Sequence, residues 1–216
     1  MKEQADSART PAVEPEDQAR ANWYGLISRL FYGPADSHLL AELTGAGWEG
    51  ERGGEEGSGE EGSGGDLLAT WQALREACRK AYPALLRQEF DTLFVGVGKS
   101  EVSPYLSGYA EPTSPDRYLV RLRDRLEGWG YARRPGTFET EDHVSGVCDV
   151  MRRLIEERRS LSEQRQFFEE YACPGIVSFC AALQKAPSAM FYRYVAALTL
   201  AFCEIERAAF EMSDAL

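Results

Sequence analysis

The chain has 216 residues, 44% of them hydrophobic, and its formal net charge at pH 7 is -11. This length is enough for one globular domain with a sizeable core. The negative charge argues against nucleic-acid binding, because phosphates select for basic patches. Much of the acidity lies in two segments, since residues 1–20 carry a net charge of -2 and residues 45–66 one of -6.

The sequence contains no segment typical of export or membrane insertion. No apolar stretch approaches the roughly 18–20 residues that a membrane-spanning helix needs. The N-terminal stretch MKEQADSARTPAVEPEDQ is polar and lacks the basic and apolar blocks of an export signal. We therefore expect a cytoplasmic protein that does not insert into membranes.

The five cysteines and two histidines show no ligand spacing. The cysteines are odd in number and form no CxxC pair, which favours reduced thiols over a disulfide framework. His38 and His143 lie far apart in the sequence, so no metal-binding motif forms around them. We expect neither a metal site nor a cofactor.

Two polar segments are predicted to lack fixed structure. Residues 1–17 are interpreted as a flexible tail. Residues 45–66, GAGWEGERGGEEGSGEEGSGGD, bury too little apolar surface to offset the entropy lost on ordering. We interpret them as a disordered loop inside one domain that spans residues 18–216, because the part before the loop is too short to form its own core.

Apolar residues elsewhere recur with the period of an α-helix. Helices are predicted over about 18–32, 39–43, 67–81, 83–94, 116–129, 141–159, 161–184 and 188–213. Residues 96–115, rich in Gly, Pro and Ser, are predicted to form a long loop. The last helix is predicted to bury one stripe: Phe191, Tyr194, Val195, Leu198, Phe202, Ile205 and Met212. Since no useful length alternates with period two, the fold class is predicted to be all-α, a single-domain helical bundle.

The stretch GVGKS at residues 96–100 looks like the end of a phosphate-binding P-loop. A P-loop needs GxxxxGK[ST] between a strand and a helix, and its first glycine would fall where this chain has Leu93. The residues before it have a helical pattern, and those after it include prolines. We therefore expect no catalytic nucleotide site, and a nucleotide-dependent enzyme or weak GTP binding through Lys99 remains only as an alternative.

Three stretches, in order along the chain, carry a resemblance to a known family. NWYGLISRLFYGPADSHLLAEL has the pattern of an opening helix with a Pro-Asp exit. EFDTLFVGVGKSEVSPYLSGY has an aromatic residue, a Leu-Phe pair, a glycine and a Ser-Pro-aromatic step. ETEDHV has Asp-His-apolar at a helix start, although Glu141 stands where proline is usual and Val147 where glutamate is common. Together they resemble the TorD/DmsD/NarJ-type chaperones of molybdoenzyme maturation.

The resemblance implies an all-helical cytoplasmic chaperone that is not an enzyme. Its partner would be the apo form of a molybdopterin oxidoreductase subunit. The chaperone would bind that subunit's twin-arginine signal peptide, or another N-terminal segment, and hold the apoenzyme for cofactor insertion before export. A helical adaptor with no role in client maturation is the alternative that composition alone leaves open.

The candidate client-binding residues are those that carry the resemblance: Leu93, Phe94, Pro104, Tyr105, Ser107, Tyr109, Asp142 and His143. For Leu93 and Phe94, a position in the core is the favoured interpretation. Asp142 could serve only to start a helix, because a carboxylate there accepts from free amides.

We expect Asp142 and His143 to lie beside residues 104–109. Asp142 would then contact the arginines of the peptide, and His143 would point outward beside it. The pairs Arg133-Arg134, Arg152-Arg153 and Arg158-Arg159 are interpreted as solvated surface.

Overall fold

The computed structural model describes residues 14–45, 63–96, 100–133, 136 and 138–213. Its α-helices are α1 (Pro15–Tyr32), α2 (Ser37–Thr44), α3 (Ser63–Lys80), α4 (Pro83–Phe90), α5 (Ser107–Ala110), α6 (Pro115–Gly128), α7 (Val144–Glu156), α8 (Leu161–Phe167), α9 (Cys173–Lys185) and α10 (Tyr192–Ser213). Two π-helical segments, Asp91–Val95 and Phe168–Ala172, continue α4 and join α8 to α9. The predicted all-α bundle is confirmed.

The two segments predicted to lack structure fall mostly outside the described residues, which omit 1–13 and 46–62. At their edges the structure differs from the prediction. Helix α1 begins at Pro15, where proline suits the first helical position and two acidic residues follow in the first turn. Helix α3 begins at Ser63, so residues 63–66 are helical, and Asp66 adds negative charge to that first turn.

Helices α1 and α7 form the most extensive contact between described elements. The predicted apolar stripe of α1 is buried, and Gly33-Pro34 follows its end. In α7 every residue of the predicted stripe is buried: Val144, Val147, Cys148, Met151, Leu154 and Ile155. The helical period therefore identified the faces through which these two helices meet.

The buried face of α10 differs from the predicted stripe. Tyr194 and Met212 are exposed. The helix instead buries Glu206, whose carboxylate accepts from Arg20 Nε at 2.7 Å and from Tyr24 Oη at 3.0 Å. Because α1 supplies these two partners, a charged residue can lie inside the bundle, and an apolar stripe cannot predict that face.

The described residues on either side of GVGKS do not form the strand and helix that flank a P-loop. The π-helical segment Asp91–Val95 precedes it, and Gly96 has a φ of 61°. Residues 97–99, including Lys99, lie outside the described residues. After them the chain turns back, since the Val102 amide donates to the Leu93 carbonyl at 2.9 Å. A helical segment thus stands where a P-loop has its strand, as predicted.

All five cysteines are buried free thiols. Among the described residues, no cluster of His, Cys, Asp and Glu side chains is arranged to hold a metal ion. No helix in the described ranges combines the length and apolarity needed to cross a bilayer.

Candidate functional site

The loop before α5 and the turn before α7 meet through paired backbones. Tyr105 and His143 form an isolated antiparallel bridge. The Leu106 amide donates to the Asp142 carbonyl at 2.8 Å, and the Val144 amide donates to the Pro104 carbonyl at 2.9 Å. The expectation that these distant parts of the chain lie side by side is therefore confirmed. We call residues 104–109 and 139–145 together the loop junction.

Asp142 lies inside the loop junction, with 2% of its surface exposed. Its carboxylate accepts from the Thr140 hydroxyl and from the Ser107 amide, the latter at 3.4 Å. A carboxylate satisfied in this way holds the two segments together. The expected direct contact with a peptide arginine is not available in this conformation, because the carboxylate does not reach the surface.

His143 is also buried, with 7% of its surface exposed, and so it does not point outward as expected. It is the N-cap of α7, and its Nδ1 accepts from the Ser145 amide at 3.3 Å. Burial lowers its pKa, and the charges of Glu139 and Asp142 oppose that shift. The imidazole is therefore neutral at neutral pH, which the capping bond to Nδ1 requires.

Tyr105 is a partly exposed residue of the junction. Its ring packs edge-on against the His143 imidazole, with centroids 5.5 Å apart. Its hydroxyl donates to the Glu139 carboxylate. Burial and this neighbouring carboxylate raise the pKa of Tyr105 to about 12, so the phenol stays protonated and keeps donating.

The remaining loop residues divide between interior and rim. Pro104 and Ser107 are buried, whereas Tyr109 is half-buried with its ring against Phe179. Helix α9 packs closely against Leu106 of the loop at Gly175. A Cβ added to Gly175 would lie only 2.8 Å from the Leu106 Cβ. Only glycine permits this approach without displacing the loop.

Leu93 and Phe94 lie in the hydrophobic core. Phe94 packs against aromatic rings from α1, α4, α9 and α10. Neither side chain has an exposed face that a peptide could contact in this conformation. Both residues are therefore core residues.

An open groove of about 1260 Å³ begins at the loop junction. It lies between the C-terminal ends of α1 and α6 and one face of α7, and His143 and Glu139 form part of its wall. Its apolar lining includes Tyr32, Leu39, Leu126, Tyr131 and Val150. Of the candidate residues, His143 lines this space, which is large enough for several side chains of a bound segment.

Charged residues of both signs line this groove, five arginines and five carboxylates among the described residues. Arg123 Nε lies 2.7 Å and Arg133 Nε 2.8 Å from the Glu141 carboxylate. Arg152 lies 2.7 Å from Asp149. The interpretation of Arg133 and Arg152-Arg153 as solvated surface was incomplete, because these side chains also form groove walls.

Sequence reasoning missed the α1 and α6 sides of the groove. Arg123, Glu141 and Tyr32 are separated by long stretches of chain, and each looks like an ordinary surface residue in its own helical pattern. The tertiary arrangement of α1, α6 and α7 brings them to one space. The partial signal was Glu141 itself, since it departs from the proline usual in the Pro-Asp-His pattern.

Comparison with known families places this architecture. The sequence model of the family described as the nitrate reductase delta subunit matches residues 63–181, more than half of the chain. The match runs from α3 to α9 and includes the whole loop junction. No curated protein sequence matches the chain. This family comprises chaperones of molybdoenzyme maturation rather than catalysts. The all-helical chain with its Tyr105–His143 junction therefore belongs to the nitrate reductase delta subunit family, the NarJ/TorD-type maturation chaperones.

Proposed function

We propose that this chaperone binds the twin-arginine signal peptide, or another N-terminal segment, of a molybdenum-containing oxidoreductase subunit. It holds the apoenzyme in the cytoplasm until the cofactor is inserted and export begins. Family membership supports a molybdoenzyme subunit as the client. The observation that carries the finer proposal is the groove beside the loop junction.

The groove suits a segment that is basic at one end and apolar along its length. Tyrosine and aliphatic side chains in its wall would bury the apolar part, as in other grooves that bind peptides. Carboxylates from α6, α7 and the turn before α7 would bind cationic side chains. Both kinds of surface occur in one space.

The candidate residues have separate parts in this proposal. Tyr105 lies against His143 of the groove wall. Together with Tyr109 in the same loop it forms the rim that the peptide meets, since a tyrosine ring combines an apolar face with a polar edge. Asp142 and His143 position that rim by tying the loop to the start of α7. Pro104 and Ser107 shape the loop.

Leu93 and Phe94 support the loop from the core. The Leu93 carbonyl accepts from the Val102 amide at 2.9 Å and so anchors the chain that leads to the rim. Their contribution to binding in this proposal is indirect.

Tyr32 provides a test of the groove with a matched control. It lines the groove with 69% of its surface exposed, while Tyr82 lies outside the groove with 70% exposed. We expect Tyr32→Ala to weaken binding of a labelled peptide, an Arg-Arg pair followed by an apolar run, by about five- to thirtyfold. Fluorescence anisotropy with the purified full chain measures this.

Tyr82→Ala is expected to leave the affinity unchanged. Because both tyrosines are equally exposed, neither substitution removes core packing. Absence of binding by the wild-type chain, or equal loss in the two variants, would contradict the proposal.

A further inference from the structure

Glu141 is bound by two arginines of the chain itself. Arg123 Nε lies 2.7 Å from Oε2, and Arg133 Nε lies 2.8 Å from Oε1. Each carboxylate oxygen therefore has its own guanidinium partner. Glu141 and both arginines line the groove.

The charges at this point do not balance. One carboxylate faces two guanidinium groups, so one positive charge is in excess and the two cations repel each other. The Glu141 side chain is 13% exposed and both arginine side chains are 44% exposed. A carboxylate that is nearly buried needs a cationic partner, but one guanidinium is enough to supply it.

Arg133 is the partner more easily removed. Arg123 lies within α6, whereas Arg133 lies in a non-helical stretch that follows Gly130, whose φ is 77°. Arg133 also donates from Nη1 to the Glu139 carbonyl at 3.3 Å, a long bond. If a guanidinium from another chain replaced that of Arg133, Glu141 would still have two cationic partners.

We propose that Glu141 is the residue that recognises an arginine of the client segment, and that Arg133 occupies its place in the free chaperone. An incoming guanidinium displaces Arg133 and pairs with Glu141 beside Arg123. The inference rests on the proposed function, since it assigns specificity within the same groove. The apparent affinity is then the intrinsic affinity multiplied by the fraction of molecules in which Arg133 does not hold Glu141.

Two substitutions test the proposal with two labelled peptides that differ only in an Arg-Arg or a Lys-Lys pair before the apolar run. Arg133→Gln removes the internal competitor, so we expect the Arg-Arg peptide to bind about two- to fivefold more tightly. Glu141→Gln removes the fork-shaped acceptor. We expect it to weaken the Arg-Arg peptide by about tenfold and to bring the two peptides to similar affinity.

Arg121→Gln is the matched control for Arg133→Gln. Arg121 is similarly exposed, pairs with Glu111 at 2.9 Å and lies outside the groove. It changes the net charge of the chain equally, so it reports any general electrostatic attraction of a basic peptide. Its affinity for both peptides is expected to equal that of the wild type.

The outcomes separate the two proposals. Wild-type protein that binds neither peptide overturns both. Wild-type binding combined with a neutral or harmful Arg133→Gln overturns the displacement of Arg133. Retained preference for arginine in Glu141→Gln overturns the role of Glu141 and leaves the proposed function standing.

Discussion

His143 shows how one buried side chain makes the start of a helix sensitive to pH. Its Nδ1 caps α7 and must be unprotonated to accept from the Ser145 amide. Burial lowers its pKa below 6.5, while Glu139 and Asp142 act against that shift. Protonation therefore removes the cap and places a charge inside the loop junction.

We predict that His143 stabilises the fold fully above about pH 6.5 and progressively less below it. The unfolded chain takes up the proton first as the pH falls, because the folded-state pKa is the lower one. His143→Asn keeps a capping acceptor that does not titrate. The difference in thermal midpoint between wild type and His143→Asn should shift in favour of the variant between pH 7.5 and 5.

Ionisable groups remote from His143 are common to both proteins, so their contributions cancel in the difference. A difference in thermal midpoint that stays constant over the whole pH range would show that folding does not change the pKa of His143.

Sequence reasoning placed Asp142 and His143 beside Tyr105 but not inside the junction. Proximity followed from the resemblance of two stretches to one family. Burial depends on backbone pairing between residues about 35 positions apart, and no local pattern encodes that pairing. For the same reason Leu93 and Phe94, which fit a helical stripe, were predicted as both core and site.

Among the helices, α10 begins on a carboxylate from another element. The Glu89 side chain in α4 accepts from the amides of Met190, Phe191 and Tyr192 at 2.8, 3.1 and 2.9 Å. A helix start leaves its first amides without partners inside the helix. Glu89, about a hundred positions earlier in the chain, supplies the missing acceptor for these amides. This contact fixes the start of α10 against α4.

We predict that Glu89→Ala destabilises the fold by about 1.5–3 kcal/mol, because it leaves three amides, two of them partly buried, without this acceptor. Urea unfolding followed by circular dichroism measures the change. Hydrogen exchange at residues 190–192 should accelerate more than exchange in the middle of α10.

Glu101 offers the control for this substitution. Its carboxylate also bonds the segment before α10, at the Ser188 amide and hydroxyl, but on an exposed surface. Glu101→Ala is expected to change stability by less than about 1 kcal/mol. Equal losses in the two variants would argue against a special role for the Glu89 cap.

The helical period predicted α1 and α7 well because the faces that both helices bury are almost wholly apolar. It failed for α10, where Tyr194 was expected inside and Glu206 was not. A period in hydrophobicity cannot reveal a charge that is neutralised by a different helix. It also cannot reveal Glu89, whose role as a cap appears only after α4 and α10 have met.

At the scale of the whole molecule, the Glu206 carboxylate joins α10 to α1. Glu206 is buried and accepts from Arg20 Nε, Arg20 Nη2 and the Tyr24 hydroxyl. Burial and the Glu206 charge raise the pKa of Tyr24, which stays a donor. A buried pair of this kind is worth little against an apolar pair, but losing one partner leaves a charge stranded.

We predict that Arg20→Met destabilises the fold by about 3–5 kcal/mol, since it strands the Glu206 carboxylate. The double variant Arg20→Met/Glu206→Met should be more stable than Arg20→Met. Chemical denaturation of the wild type, both single variants and the double variant completes the cycle.

The control is the exposed pair that Arg207 forms with Glu204 in α10, at 2.9 Å. Glu204→Ala, which removes this pair, should change stability by less than about 1 kcal/mol. Additive effects of Arg20→Met and Glu206→Met would mean that the two side chains do not act as a pair.

The fold class could be predicted from the sequence, whereas half of the groove could not. Its α7 wall was within reach, because the resemblance covers Asp142 and His143. Its α1 and α6 walls consist of residues with no signal of their own, such as Tyr32 and Arg123. Those residues become a site only through packing between helices distant in the chain.

Arg20 is synthesised well before Glu206, the residue to which it bonds in the folded protein. The two residues are 186 positions apart, so at about 5–20 residues per second a ribosome adds Glu206 about 10–40 seconds after Arg20. During that interval Arg20 and Tyr24 lack the carboxylate they later share. A nascent chain that stops before α10 would leave the Arg20 and Tyr24 side chains without this acceptor, even after α1 has packed on α7. Synthesis of α10, rather than the folding of the earlier helices, is the event after which α1 has all its partners.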